Sequence, residues 1–183
     1  MGSLGYFTKS DRGVIQRAAF LAEGLTQRYF GLADDLWRRN PYGIFTLKEV
    51  NYSLCNPNAF ANVVRFRSRR DLSGSRPHKD RYGIVLHDPN ILLALLRSGC
   101  PDLWTLGLFV LTHELTHIVR FGEHGVDFFA SAEDREAEEL AVHEMTSEIL
   151  SGVTNTNHVL DLYKCGDYSD TGSLDISSSQ GGC

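Results

Sequence analysis

The chain is poor in cysteine: Cys55, Cys100, Cys165 and Cys183 are scattered through 183 residues without a CxxC pair. No disulfide framework is spelled out, and a reducing, cytoplasmic setting is expected. Basic charge is not in excess either. With 18 Lys and Arg against 23 Asp and Glu, the net charge is −5, so no broad positive field for nucleic acid is expected. The local run Arg65, Arg67, Arg69, Arg70, Arg76, Lys79 and Arg81 is interleaved with Ser, Gly and Pro, and reads as a strand end followed by a solvated loop. No apolar run is long enough to cross a bilayer, because the best candidate, 103–121, carries His113, Glu114, His117 and Arg120. The first residues show no charged stretch followed by an apolar one, so no leader is expected, and no internal repeat is visible.

What is present is a 42% hydrophobic content, enough for one core. A single domain over 1–150 is expected, followed by a flexible polar tail over 151–183, where Ser, Thr, Asn, Gly and Asp dominate. Helical spacing of Val14, Ile15, Ala18, Ala19, Ala22, Leu25 and Tyr29 predicts a first helix capped at Ser10-Asp11. A short helical piece from Ala33 to Arg39 stops at Asn40-Pro41-Tyr42-Gly43. Ile44 to Val50, Ala61 to Phe66 and Tyr82 to His87 are the strand candidates, rich in β-branched and aromatic residues. Pro89 to Leu96 reads as a short helix, and Ala132 to Leu150 as a long acidic one.

The chemistry is concentrated in His113-Glu114-Leu115-Thr116-His117, an HExxH pentapeptide inside a mostly apolar helix that starts near Asp102 and stops near Gly122. On a helix, side chains at i and i+4 project from one face, so the two imidazoles can share one zinc with Glu114 beside its water. Burying two histidines and a glutamate without partners is costly, and a metal ion satisfies all three.

A hydrolytic zinc site wants a third protein ligand. His124 follows His117 by seven residues, but the helix runs about one turn past His117 and leaves only Glu123 to bring the chain back. Glu136, after eighteen intervening residues, shares a helical stripe with Leu140, His143 and Ser147, from which Glu139 points away. Glu136 is therefore the expected ligand, with His124 and Glu133 as alternatives. His143, two turns on, is a candidate to orient a ligand or assist proton transfer. Tyr82 and Arg120 are further candidates for stabilising an oxyanion.

HExxH followed at this distance by a glutamate on a later helix resembles the zincin metallopeptidases, in particular small single-domain gluzincin-like members. The stretch from His113 to Phe128 is also similar to SprT-like and WLM-type peptidases. The resemblance implies an α+β zincin-like domain, with a small β-sheet followed by the HExxH helix and a Glu-rich helix. It implies Zn2+ held by His113, His117 and Glu136, and peptide hydrolysis with Glu114 as the base. A peptide or protein is then the substrate, and the strand Tyr82–His87 would line the cleft as an edge for it. The alternative is a non-catalytic zinc-binding module that regulates or interacts. A di-iron carboxylate bundle is disfavoured because no second ExxH follows.

Overall fold

Every side chain from Thr105 to Val119 is buried in helix α4, Leu103–Glu123, around which the rest of the chain is arranged. The computed structural model describes residues 5–50, 59–66, 81–97, 102–153 and 174–176. The cysteines and most of the basic run, 67–80, lie outside the described residues. Asp102 caps α4 by accepting a hydrogen bond from Thr105 N at 2.8 Å, and the helix closes on His124. Gly125 follows with a φ of 68°, a left-handed conformation that costs glycine little, and turns the chain away.

Helix α1, Lys9–Tyr29, packs along α4 through Ile15, Ala18, Ala19 and Ala22. Small side chains permit a close approach, and a Cβ on Gly107 would stand only 2.7 Å from Ile15 Cδ1. The cap is Thr8, two residues before the expected Ser10. Thr8 Oγ1 accepts from Asp11 N, while the Asp11 carboxylate accepts from Thr8 N at 2.8 Å. Helix α2, Leu36–Arg39, is shorter than expected, and its end is tied to α4. Asn40 Nδ2 and Arg39 Nη1 both donate to Glu123, at 2.5 Å each.

The sheet contains β1, Tyr42–Thr46; β2, Ala61–Phe66; β3, Arg81–Leu86; and β4, Leu174–Ile176, in the order β1-β3-β2-β4. β1 runs parallel to β3, β2 antiparallel to β3, and β4 parallel to β2. Side chains alternate between two apolar environments. Ala61, Val63, Tyr82, Ile84 and Leu86 join the helical core, while Val64 and Val85 join Leu47 in a smaller cluster on the other face. That double burial explains the nearly unbroken apolar run of β3.

It also overturns the expected role of Tyr82–His87. β3 is paired on both sides, so its backbone cannot receive a peptide; among the described residues the outer strands are β1 and β4. β4 is a departure too, since it lies in the segment expected to be an unstructured tail. Helix α3, Asp88–Leu95, and helix α5, Ala132–Leu150, fall where predicted. The architecture is α+β, with its helices on one face of the sheet. No helix among the described residues is long and apolar enough to cross a membrane.

Candidate metal centre

Four polar residues of α4 need no help. Thr112 Oγ1 donates to Leu108 O at 2.7 Å and Thr116 Oγ1 to Thr112 O at 2.8 Å, so these hydroxyls are satisfied within the helix. Arg120 is paired with Glu138, and Asp102 is the cap. Of the pentapeptide's polar side chains, those of His113, Glu114 and His117 remain. His113, Glu114 and His117 are 2%, 0% and 4% exposed.

The two imidazoles converge, with His113 Nε2 and His117 Nε2 3.2 Å apart. Phe109 and Phe121 continue the same i, i+4 stripe in either direction and fix both rings. Phe109 stacks on His113 at a centroid distance of 6.5 Å, and Phe121 on His117 at 5.7 Å, each with an interplanar angle of 18°.

The carboxylate that meets them is Glu139. Its Oε2 lies 3.3 Å from His113 Nε2, and its Oε1 lies 3.1 Å from His117 Nε2. This corrects the expected third ligand, since Glu136 is exposed and does not join the group; Glu133 is exposed as well. The physical reason is the rotation of α5. Its buried face runs through Val142, Thr146 and Ile149, and includes half-buried Glu138 and Glu139. The expected stripe lay about a third of a turn away, and its Leu140 is 65% exposed. His124, the other alternative, sits at the α4 terminus against the ring of Phe30, 5.4 Å between centroids, outside the group.

His143 is brought to the site but not into the triad. It is half-buried one turn past Glu139, with its ring 6.5 Å from that of His113 and 5.9 Å from that of Phe109. The two other candidate polar groups are placed elsewhere. Tyr82 is buried among the core side chains, and Arg120 grips Glu138 with two hydrogen bonds.

His113, His117 and Glu139 can together hold a cation. Tetrahedral zinc with metal–ligand distances near 2.0–2.1 Å separates its donors by roughly 3.3 Å. The two imidazole nitrogens, 3.2 Å apart, match that spacing, and the Glu139 carboxylate faces each of them with a different oxygen. Beside it, both carboxylate oxygens of Glu114 are buried with no hydrogen-bond partner among the described residues. An orphaned buried carboxylate costs several kcal/mol, comparable to the contribution of one or two buried leucines, so an adjacent cation relieves a real penalty.

The electrostatics follow from this crowding. Burial pulls the His113 imidazole below its ordinary range. Burial acts on His117 in the same direction, but the carboxylates of Glu139, Glu114 and Glu138 outweigh it and raise its pKa. Glu139 is held well below the usual carboxylate range because both imidazoles outweigh its own desolvation. Glu114 is pushed up to about 8, chiefly by burial, with His117 opposing and Glu139 reinforcing.

Without metal, Glu114 therefore binds a proton in the folded chain at pH values where the unfolded chain, titrating near 4.5, has lost it. Its contribution to stability is complete below that lower value and declines as pH rises through about 8. Glu114→Gln, which carries no ionisable group there, is expected to gain about 3 kcal/mol on metal-free wild type between about pH 5 and 8. Thermal melts of both chelator-treated proteins check this; a difference in Tm that does not change with pH would rule it out.

Phe128 and Phe129, after the α4 terminus, complete a wall near the site. Phe128 packs edge-on against Phe121 at 4.9 Å, and the Arg65 guanidinium of β2 lies 4.7 Å from the Phe128 ring and 4.6 Å from that of Phe129. The C-terminal half of β2 thus approaches the candidate site through a chain of ring contacts. Compared with protein-family models, curated proteins and solved structures, the chain has no match.

Proposed function

We propose that this chain is a zinc-dependent peptidase of zincin-like, gluzincin type, with His113, His117 and Glu139 holding the metal. The observation that carries the reading is the convergence of His113 Nε2, His117 Nε2 and the Glu139 carboxylate beside the buried, unpartnered carboxylate of Glu114. Two imidazoles and one carboxylate suit zinc and leave a coordination position for chemistry. When bound, zinc polarises a carbonyl oxygen and brings the acidity of water towards neutrality.

The chain's own residues supply the rest. A Glu114 carboxylate oxygen accepts a proton from the attacking water and returns it to the leaving amine. Burial raises its pKa in the metal-free state and a nearby cation would pull in the opposite direction, which supports a part in both transfers. Phe109 and Phe121 keep the imidazoles in register. His143, beside His113, is positioned to assist a proton transfer. Extended backbone is the expected substrate, paired along an outer strand of the sheet, β1 or β4 among the described residues.

The purified chain is expected to contain zinc near one equivalent and to cleave unfolded polypeptide. A chelator should abolish cleavage and added zinc should restore it. Zinc without cleavage of any peptide would favour a non-catalytic zinc-binding module. Iron in place of zinc would defeat the reading, because two histidines and one carboxylate also form the facial triad of iron oxygenases.

A further inference from the structure

Helix α5 brings Glu139 to the histidines although little holds its first half. The side chains of residues 131–137 are exposed, and the first fully buried side chain of α5 is Val142. A helix so weakly amphipathic can roll about its axis, and a roll of a fraction of a turn would carry Glu139 away from the imidazoles.

The residue next to Glu139 prevents this. Arg120 Nε donates to Glu138 Oε1 at 2.5 Å and Arg120 Nη2 to Glu138 Oε2 at 2.6 Å, a two-pronged pair in which the side chains are only 20% and 12% exposed. Such a fork fixes orientation as well as distance. Arg120 stands three residues beyond His117, on the same side of α4. Its Nη1 also lies 3.9 Å from Met145 Sδ, two turns further along α5. The clamp therefore joins the helix carrying both histidines to the backbone immediately before the carboxylate ligand.

We infer that Arg120 and Glu138 are positioning residues that set the rotation of α5 and so deliver Glu139 to the metal. This rests on the reading of His113, His117 and Glu139 as a zinc site, and it assigns the arginine to the architecture of that site rather than to the substrate. It also explains why, of the neighbouring acids in α5, Glu139 is chosen over Glu136.

The test is zinc affinity of the full-length chain, read by competition with a chromogenic chelator, alongside helix content and the Tm of the metal-free protein. Arg120→Gln and Glu138→Gln should each weaken zinc binding by about tenfold or more, the range seen when groups supporting metal ligands are removed. Arg120→Lys retains charge but not the fork, and should fall between. Exchanging the partners, Arg120→Glu with Glu138→Arg, should recover most of the lost affinity. Single variants that fold and bind zinc within about twofold of wild type would overturn the clamp while leaving the zinc site standing. So would an exchanged pair that recovers Tm but not affinity. Wild type unable to take up zinc would bring down the site and the clamp together.

Discussion

Glu139→Ala is expected to strip the chain of its metal, while Glu136→Ala leaves metal content unchanged. Removing Glu139 takes away the one carboxylate that touches both imidazoles, at 3.1 and 3.3 Å, and leaves two histidines with no third donor among the described residues. The loss should exceed the roughly 100-fold upper end found for groups that merely support ligands. Glu136 is exposed and outside the group, and gives up only solvent contacts. Metal analysis of the two purified variants decides the matter, and retention of zinc in Glu139→Ala would remove the ligand assignment. Because Glu139 lowers the cost of protonating His117, the variant should also lose that imidazole's raised pKa.

Glu114→Gln should separate holding the metal from using it. Glu114 is outside the donor group, so the variant is expected to bind zinc as wild type does. Its amide cannot accept a proton, and hydrolysis should fall by about 10²–10⁴-fold, the usual contribution of a positioned general base. Full activity in a zinc-loaded Glu114→Gln protein would exclude Glu114 as the base. Equal loss of zinc and activity would place Glu114 among the ligands instead, against the geometry observed. The same substitution is the one expected to stabilise the metal-free protein at higher pH, so stability and activity should move in opposite directions. That opposition is expected of a charged group kept in an environment unfavourable to its charge.

The two results follow from features that were legible to different degrees. HExxH is local: five consecutive residues on a helix specify which side chains share a face, whatever that helix packs against. Phe109, His113, His117 and Phe121, spaced by four, could have been read in the same way as a stripe of rings around the site. The limits of α5 were also readable, because Ser131 and the composition of 132–150 define the helix. Its rotation was not. The acidic first half offers polar side chains in every direction, and only the later Val142, Thr146, Ile149 and Leu150 mark the buried face. Had the phase been taken from those residues, Glu139 would have replaced Glu136. Likewise, the composition of β3 suits a strand, but its place between β1 and β2 arises from pairing with residues distant in sequence.

Sequence alone determined the helical pentapeptide, its apolar setting, the limits of the acidic helix and the mixed α+β content, all of which depend on neighbours within a few turns. Tertiary structure decided which carboxylate reaches the imidazoles, which strand is interior and where Arg120 is engaged. Those outcomes depend on the rotation and register of elements packed across tens of residues, where a difference of a third of a helical turn exchanges one glutamate for another.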